Sequence, residues 1–295
     1  MTAARFSPST IRLASLGTLA GGALWGLFWI PIHTFEGLGF QNAWPGLVFY
    51  LSALVAFIPL LLLRRRPLRS TRQIAIIGLL TGTAFAFYGT SIILTDVVRA
   101  LLFFYLTPVW GTAIGIFFLG ERLTAVRVIA ILMAFAGLFA VVGFGSRSAI
   151  NFGDLLALAS GLLWAIGSYK IYKLDDPEPV HLSVAFVLGG IIMTSLLILL
   201  AGDIFGSSER LPSASERWPF FIISALYALP MVFLTIWPAK YLSPGRIGIL
   251  LMSEVVVGVF SVALFANEPF GPFEALGAAL IIGATLVEVL GNRNA

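Results

Sequence analysis

Long apolar stretches separated by short polar segments are the dominant pattern of the chain. Cutting the sequence at its charges and at clusters of Pro, Gly and Ser leaves ten stretches of about 20 residues, enough for a helix to cross a hydrocarbon core of roughly 30 Å. They lie at 13–33, 44–63, 73–94, 97–118, 124–144, 152–173, 180–201, 218–238, 244–265 and 271–291. Because the stretches are continuously apolar and do not alternate over about 10 residues, they favour helices over barrel strands. The pattern predicts an all-α integral membrane protein with ten transmembrane helices.

Composition agrees with a location in the membrane. Of the 295 residues, 59% are hydrophobic and 11% are charged, and the mean hydropathy is +0.99. Soluble domains contain about 45–50% apolar and about 25% charged residues, so this chain has too little polar surface to cover a water-soluble globule. The sequence contains no Cys, which excludes a disulfide-stapled domain, thiolate zinc sites and iron–sulfur clusters.

The distribution of Lys and Arg predicts the orientation of the helices, because positively charged loops stay on the cytoplasmic side. With the N-terminus inside, 14 of the 18 basic residues fall on the cytoplasmic side and 4 on the far side. Both termini are therefore expected to be cytoplasmic, and the basic run at 64–72 is interpreted as a topology signal. The apolar run after Arg12 is long enough for a full span, so it is expected to be the first helix and not a cleaved signal peptide.

Short motifs recur along the chain at a nearly constant offset, which indicates an internal duplication. The segment Gly22–Trp25 resembles Gly161–Trp164 at an offset of 139 residues. We therefore predict two five-helix repeats, 1–148 and 149–295. Because five is odd, the second repeat enters the membrane from the opposite side, and such inverted repeats are typical of secondary transporters. The further matches are Tyr88 with Tyr227 at the same offset, and Phe118–Glu121 with Phe265–Glu268 and Arg99 with Arg246 at an offset of 147.

Together with these motifs, the whole chain resembles the EamA family of the drug/metabolite transporter superfamily. The resemblance is carried by the ten-span pattern, the duplication, "LGERLT" at Leu119–Thr124, "NEPF" at Asn267–Phe270 and the Gly/Ala-rich run Gly277–Gly283. Within the family the chain looks most like the YddG-type aromatic amino-acid exporters. That similarity lies in "LWGLFWIPIH" at Leu24–His33 and "FFYLTPVWG" at Phe103–Gly111.

The resemblance implies a secondary transporter that exports amino acids, aromatic or bulky apolar ones foremost, or related metabolites by alternating access across a bacterial-type inner membrane. A small-drug or lipid exporter of the same superfamily is the alternative. A carrier of phosphorylated sugars is disfavoured because its substrate would require Arg or Lys at mid-span, where the sequence has none. We expect a small-molecule substrate and membrane lipid as the partners of the chain, with no nucleic acid and no cofactor.

An enzyme is also disfavoured. The sequence lacks HExxH, GxSxG, P-loop and GxGxxG motifs, and its only two histidines are His33 and His181. Small residues at GxxxG spacing allow close helix contacts, which we interpret as packing within a monomer, with a dimer seam as the alternative. These pairs are Gly17/Gly21, Gly22/Gly26, Gly78/Gly82 and Gly111/Gly115.

Glu254 is the one carboxylate near the middle of a predicted span. Such a group is costly in the bilayer and usually faces protein or a wet cavity. Two interpretations stay open for it, a site for a coupling proton or a substrate ammonium, and a structural hydrogen bond between helices. Its counterpart in the first repeat is Thr107, which precedes Pro108. A proline at mid-span predicts a kinked helix, either lining a cavity or simply bent.

Several aromatic residues lie too deep in their spans for the interfacial belts in which Trp and Tyr normally occur. Trp25 shares a helical face with Trp29 and His33, and Trp164 occupies the matching place in the sixth span. Polar-tipped aromatics at this depth require a partner other than lipid. We therefore predict a central aromatic cavity, with dry helix packing as the alternative. The predicted substrate-binding residues are Trp25, Tyr88, Tyr105, Trp110, Trp164, Tyr227 and Glu254, and no metal site is predicted.

Overall fold

The computed structural model describes residues 6–40, 43–63, 70–95, 97–142, 150–175, 178–200, 218–265 and 271–291. Across these ranges every regular element is helical. The helices are α1 (Pro8–Gly26), α2 (Trp29–Gly37), α3 (Trp44–Leu63), α4 (Thr71–Leu94), α5 (Val97–Phe104), α6 (Thr107–Leu119), α7 (Ala125–Val142), α8 (Phe152–Lys173), α9 (Pro179–Leu200), α10 (Trp218–Ile236), α11 (Pro244–Leu251), α12 (Ser253–Phe265) and α13 (Pro272–Gly291), with a 3-10 turn at Trp237–Lys240.

Much of this helical structure is apolar enough to lie in a membrane. Seven helical segments are both long and apolar enough to cross it, and three shorter apolar helices accompany them. Large hydrophobic side chains such as Leu63, Phe117 and Leu199 are exposed on the outer faces, as expected for surfaces that contact lipid. The seven segments are Pro8–Ile32, Trp44–Leu63, Thr71–Ile92, Phe152–Lys173, Pro179–Leu200, Trp218–Lys240 and Pro244–Phe265, and the shorter helices are Thr107–Leu119, Ala125–Ala140 and Ala275–Leu290.

Two of the predicted spans, which we call the discontinuous helices, are interrupted near their middle. The stretch 97–118 is interrupted between Phe104 and Thr107, where α5 ends and α6 begins, and the stretch 244–265 is interrupted at Met252 between α11 and α12. The kink expected at Pro108 is observed as a break between α5 and α6. Pro108 lies in the first turn of α6, where the missing N–H has no helical partner to lose.

The first predicted span is also interrupted. α1 ends at Gly26, and the N–H groups of Leu27 and Phe28 close a tight turn onto the carbonyls of Leu24 and Trp25. The turn interrupts the regular spacing on which the predicted shared face of Trp25, Trp29 and His33 depends. Trp29 instead donates from Nε1 to Ser261 Oγ at 2.9 Å. The side chain of His33 lies outside the described residues.

Close packing between helices relies on glycine. A Cβ on Gly22 would lie 2.8 Å from the carbonyl oxygen of Leu251, and a Cβ on Gly161 would lie 2.6 Å from that of Phe104. The GxxxG glycines of α1, α4 and α6 thus face other parts of the same chain, as their interpretation as internal packing requires. In the resulting bundle α1 packs on α10, α11 and α12, α8 on α4, α5 and α6, α3 on α9 and α10, α4 on α9, α6 on α11, and α7 on α13.

Candidate functional site

A buried carboxylate lies where the two discontinuous helices meet α4. Glu254, in the first turn of α12, is 8% exposed. Its Oε1 accepts a hydrogen bond from the Tyr88 hydroxyl of α4 at 3.2 Å, and its Oε2 accepts one from the Tyr105 hydroxyl at 2.6 Å. Tyr105 itself occupies the break between α5 and α6. Each oxygen therefore has one neutral O–H donor, an arrangement that stabilises the ionised form of a carboxylate.

An aromatic cluster packs directly against this carboxylate site. Phe85 is stacked on Trp25 with ring centroids 4.4 Å apart, and it makes edge contacts with Trp164 at 5.2 Å and Phe104 at 5.9 Å. Phe104 in turn lies 4.5 Å from the ring of Tyr88 and 5.1 Å from that of Tyr105. We call Trp25, Phe85, Phe104, Trp164, Tyr88 and Tyr105 the aromatic cluster. It brings together four of the predicted site residues and attaches them to Glu254.

The tryptophans of the two repeats differ in their hydrogen bonding. Trp25 donates from Nε1 to Thr235 Oγ1 at 2.9 Å. Trp164 is fully buried, and its Nε1 has no hydrogen-bond partner among the described residues. A buried N–H left without an acceptor costs about 1–3 kcal/mol. Trp164 therefore presents a free donor inside the aromatic cluster, where Trp25 presents none.

Tyr227 and Trp110 make no hydrogen bond to Glu254 in the described part of the chain. The Tyr227 hydroxyl donates to the carbonyl of Leu24, so it does not repeat the bond that Tyr88 makes to the carboxylate. Its ring lies 6.4 Å from Phe49, which reaches Trp25 through Phe28. Trp110, in the first turn of α6, has no ring contact with the aromatic cluster in the described part of the chain, and its buried Nε1 likewise has no acceptor there. Their roles in binding substrate stay predictions.

Phe85 and Phe104 are the central rings of the cluster, and sequence reasoning missed both. Phenylalanine has no polar tip to mark its depth, and the chain contains 25 of them. A weak signal was present, since Phe85 precedes Tyr88 by one helical turn and Phe104 is adjacent to Tyr105. Neither spacing distinguishes a central ring from one that contacts lipid.

A second group of charges lies away from the aromatic cluster. Arg127, at the start of α7, contacts Glu121 at 2.6 Å and Glu288 of α13 at 3.4 Å. Glu121, at the junction between α6 and α7, is therefore engaged in a salt bridge, whereas its counterpart Glu268 lies outside the described residues. Nearby, Arg246 of α11 donates from Nη2 to Ser15 Oγ at 3.2 Å. These contacts join helices of both halves of the chain.

Among the described residues no group of three or more His, Asp or Glu is arranged to hold a metal ion. The chemistry available at the aromatic cluster is therefore that of one carboxylate, two tyrosine hydroxyls and several ring faces. Groups of these types can bind and orient a small molecule or hold a proton. Interrupted helices that converge on buried polar groups within an apolar helical bundle define the protein as a membrane transporter in architecture.

The comparisons with known proteins agree with this class. The chain belongs to the EamA-like transporter family, whose model matches residues 12–143 and 151–290. It is 23% identical over 286 residues to "Uncharacterized transporter YoaV" of Bacillus subtilis (strain 168), covering 90% of this chain and 93% of that protein. A solved crystal structure described only as that of a protein superposes with a TM-score of 0.73 at 21% identity, over 94% of this chain and 98% of the other.

Family membership makes this chain a multi-pass membrane transporter. The structural match, at that level of identity, shows a shared fold alone. Neither comparison supports the aromatic amino-acid branch in particular, since the matched relative carries no substrate in its description.

Proposed function

We propose that this protein is a secondary transporter that exports small amphipathic metabolites bearing an amino group, such as aromatic or bulky apolar amino acids, across a bacterial-type inner membrane. The observation that carries the proposal is Glu254, buried and held by Tyr88 and Tyr105 against the aromatic cluster. A carboxylate is the natural partner of an ammonium group, and the rings suit an apolar side chain. The free indole N–H of Trp164, inside the aromatic cluster, is an available donor for a substrate carboxylate.

The proposal includes ten membrane spans arranged as two inverted repeats, 1–148 and 149–295. An offset of 147 residues takes α5, Val97–Phe104, onto α11, Pro244–Leu251, and takes Thr107 at the start of α6 onto Glu254 in the first turn of α12. The two helix breaks thus fall at corresponding positions. The family model also matches the chain twice, once in each half.

The packing of the helices supports the same repeat. α4 packs on α9 as α10 packs on α3, and α4 packs on α8 as α10 packs on α1. The close approach of Gly22 to the carbonyl of Leu251 has its counterpart in that of Gly161 to the carbonyl of Phe104. Each of these contacts therefore has a counterpart in which the first-half helix is replaced by the equivalent second-half helix and the reverse. A pseudo-twofold relation of this kind allows two conformations in which the halves exchange their roles as gates.

The orientation in the proposal follows the charge distribution. With both termini cytoplasmic, 14 basic residues lie inside and 4 outside. Arg127 and Arg246 then lie at the cytoplasmic ends of α7 and α11. There the Arg127–Glu288 ion pair and the Arg246–Ser15 hydrogen bond tie the two halves together.

Counterflow in liposomes tests the transport function. Vesicles that contain only the purified full-length protein are loaded with an unlabelled amino acid, and uptake of the labelled compound is followed with and without a pH gradient. We expect transient accumulation of labelled phenylalanine or leucine above the level in empty vesicles. Absence of accumulation for every amino acid and amine tried, with a protein that elutes as a folded particle, would contradict the proposal.

A lipid or small-drug exporter is the second candidate, and one observation favours it. An apolar groove of 230 Å³ lies between α3 and α10, lined by Val48, Ser52 and Phe221 among others. It is on the outer face of the bundle, where lipid chains reach it directly. Lateral entry from the bilayer would suit a lipophilic substrate. Transport of a fluorescent lipid or a lipophilic dye, without any amino-acid counterflow, would favour this candidate.

A further inference from the structure

We infer that the aromatic cluster selects monovalent organic cations, an amine or quaternary ammonium joined to an aromatic or bulky apolar group, over zwitterionic amino acids. This rests on the proposed transport function and narrows its substrate class. The inference is based on the charged, polar and aromatic groups that lie close to Glu254.

Among the described residues, Glu254 has hydrogen-bond donors but no countercharge. Both of its described partners, Tyr88 and Tyr105, are neutral hydroxyls. Hydroxyls satisfy the oxygens geometrically but leave the net charge of the group at minus one whenever the carboxylate is ionised. A buried, uncompensated charge in a bilayer is costly, so the carboxylate requires either a proton or an external cation.

The basic side chains that the structure describes in the core are engaged elsewhere. Arg127 contacts Glu121 and Glu288, and Arg246 donates to Ser15. Lys240 donates to a backbone carbonyl next to the 3-10 turn. No described Lys, Arg or His makes a hydrogen bond or ion pair with Glu254. Within the described part of the chain, the charge of this site is that of a single acid.

A substrate carboxylate would be poorly accommodated at such a site. Proteins usually bind carboxylates with Arg, whose guanidinium supplies charge and two parallel donors. Within the aromatic cluster the free donor is the neutral Nε1 group of Trp164. The negative charge of Glu254 repels the substrate carboxylate as strongly as it attracts the ammonium group of the same molecule when both lie at similar distances.

The ring faces act in the same direction. Phe104 contacts both tyrosines that hold the carboxylate, and Phe85 joins Phe104 to the rings of Trp25 and Trp164. The faces of these π-systems are negative. Such faces attract a cation within about 6 Å and repel an anion. Carboxylate and rings therefore favour the same ligand, one positive charge attached to an apolar body.

Three compounds with the same phenyl ring and different charges distinguish a site for organic cations from a site for zwitterionic amino acids. 2-Phenylethylamine is a cation at neutral pH, phenylalanine adds a carboxylate to it, and 3-phenylpropionate carries the carboxylate only. Binding to the purified full-length protein in detergent is measured by isothermal titration calorimetry. We expect the amine to bind at least tenfold more tightly than phenylalanine, and 3-phenylpropionate not to bind. Equal or tighter binding of phenylalanine overturns the inference, and this comparison requires no variant.

The variant Glu254→Gln tests whether the preference for the amine over phenylalanine depends on this residue. The amide keeps the shape of the side chain and removes its charge, so the amine-to-phenylalanine ratio should fall from tenfold or more towards one. An unchanged ratio in a folded variant overturns the assignment. Phe117→Ala, which removes an exposed lipid-facing ring on α6, is the control that should leave the ratio unchanged.

Transport is tested separately with N,N,N-trimethyl-2-phenylethylammonium, because this fixed cation cannot cross the bilayer as a neutral amine. Counterflow of this compound that exceeds counterflow of phenylalanine supports the inference. If the amine binds but no compound shows counterflow, the inferred substrate class is supported and the proposed transport function is contradicted. If phenylalanine shows counterflow and the cation does not, the proposed transport function is supported and the inferred preference for cations is overturned.

Discussion

The Tyr105 hydroxyl donates a 2.6 Å hydrogen bond to Oε2 of Glu254, and this bond joins the break of one discontinuous helix to the break of the other. The two residues are far apart in the chain and belong to different repeats of the proposed duplication. At the same place Phe104 contacts both Tyr105 and Tyr88. The carboxylate is therefore positioned by groups that the first half supplies. A movement of one half relative to the other would change the hydrogen bonds of the carboxylate.

Replacing Glu254 by Gln should remove the response of transport to a pH gradient. The described side chains that hydrogen-bond to the carboxylate are Tyr88 and Tyr105, and Tyr227 interacts with it electrostatically. All three are neutral hydroxyls at neutral pH, so among these groups Glu254 is the one available to exchange a proton. Counterflow measured with and without a gradient checks this. A variant whose flux still rises with the gradient as in the unmodified protein would show that Glu254 is structural.

Removing the tyrosine hydroxyl at 105 should destabilise the protein. Tyr105→Phe deletes a hydrogen bond to a buried charged group, a loss of about 1.5–3 kcal/mol. The variant should unfold at a lower temperature in detergent, as followed by intrinsic fluorescence. Tyr169→Phe is the matched control, because Tyr169 has a ring contact with Phe118 and no side-chain hydrogen bond in the described structure. Equal melting temperatures for the two variants would contradict the assigned bond.

Alanine in place of Trp164 or Trp110 should reduce transport more than folded yield. Each loss removes stacking or apolar contact of about 1 kcal/mol, which is severalfold in affinity. Trp218→Ala serves as control, since Trp218 is 60% exposed at the start of α10. Full transport by both single variants and by the double variant would refute the aromatic site.

Adding one methyl group at Gly161 should disturb the contact between α8 and the break at Phe104. The new Cβ would lie 2.6 Å from the carbonyl oxygen of Phe104, too close without movement of the backbone. Gly161→Ala should therefore lower the yield of folded protein and its melting temperature. Gly89→Ala is a matched test on α4, where the Cβ meets open space and helix propensity favours alanine by roughly 0.5–1 kcal/mol. The opposite order of stability would contradict the close packing.

Cysteine labelling should report both termini on the cytoplasmic side. Because the chain has no native Cys, single cysteines at Arg69 and Ser208 give unambiguous signals. An impermeant thiol reagent added outside should label position 208 and leave position 69 unlabelled. Labelling of position 69 alone would reverse the orientation derived from the Lys and Arg distribution.

Helical class and membrane location were readable from the sequence because lipid exposure imposes long apolar runs directly on the residues of each helix. The same holds for the family, since the apolar runs and the motif around Leu119–Thr124 are properties of the chain itself. Trp25, Tyr88, Tyr105 and Trp164 were selected by their depth in a span, and the structure brings these four into one cluster.

Only the tertiary structure decided where the helices break and what Glu254 contacts. Pro108 marks one break in the sequence, but the corresponding break at Met252 contains no proline, so local propensity could not locate it. The partners of Glu254 lie on α4 and at the α5–α6 break, and helical periodicity relates residues only within one helix. The central position of Phe85 likewise depends on tertiary packing, because its ring contacts rings from four other helices. Apolar pattern is a local property, whereas hydrogen-bond partners and ring contacts depend on how separate helices pack.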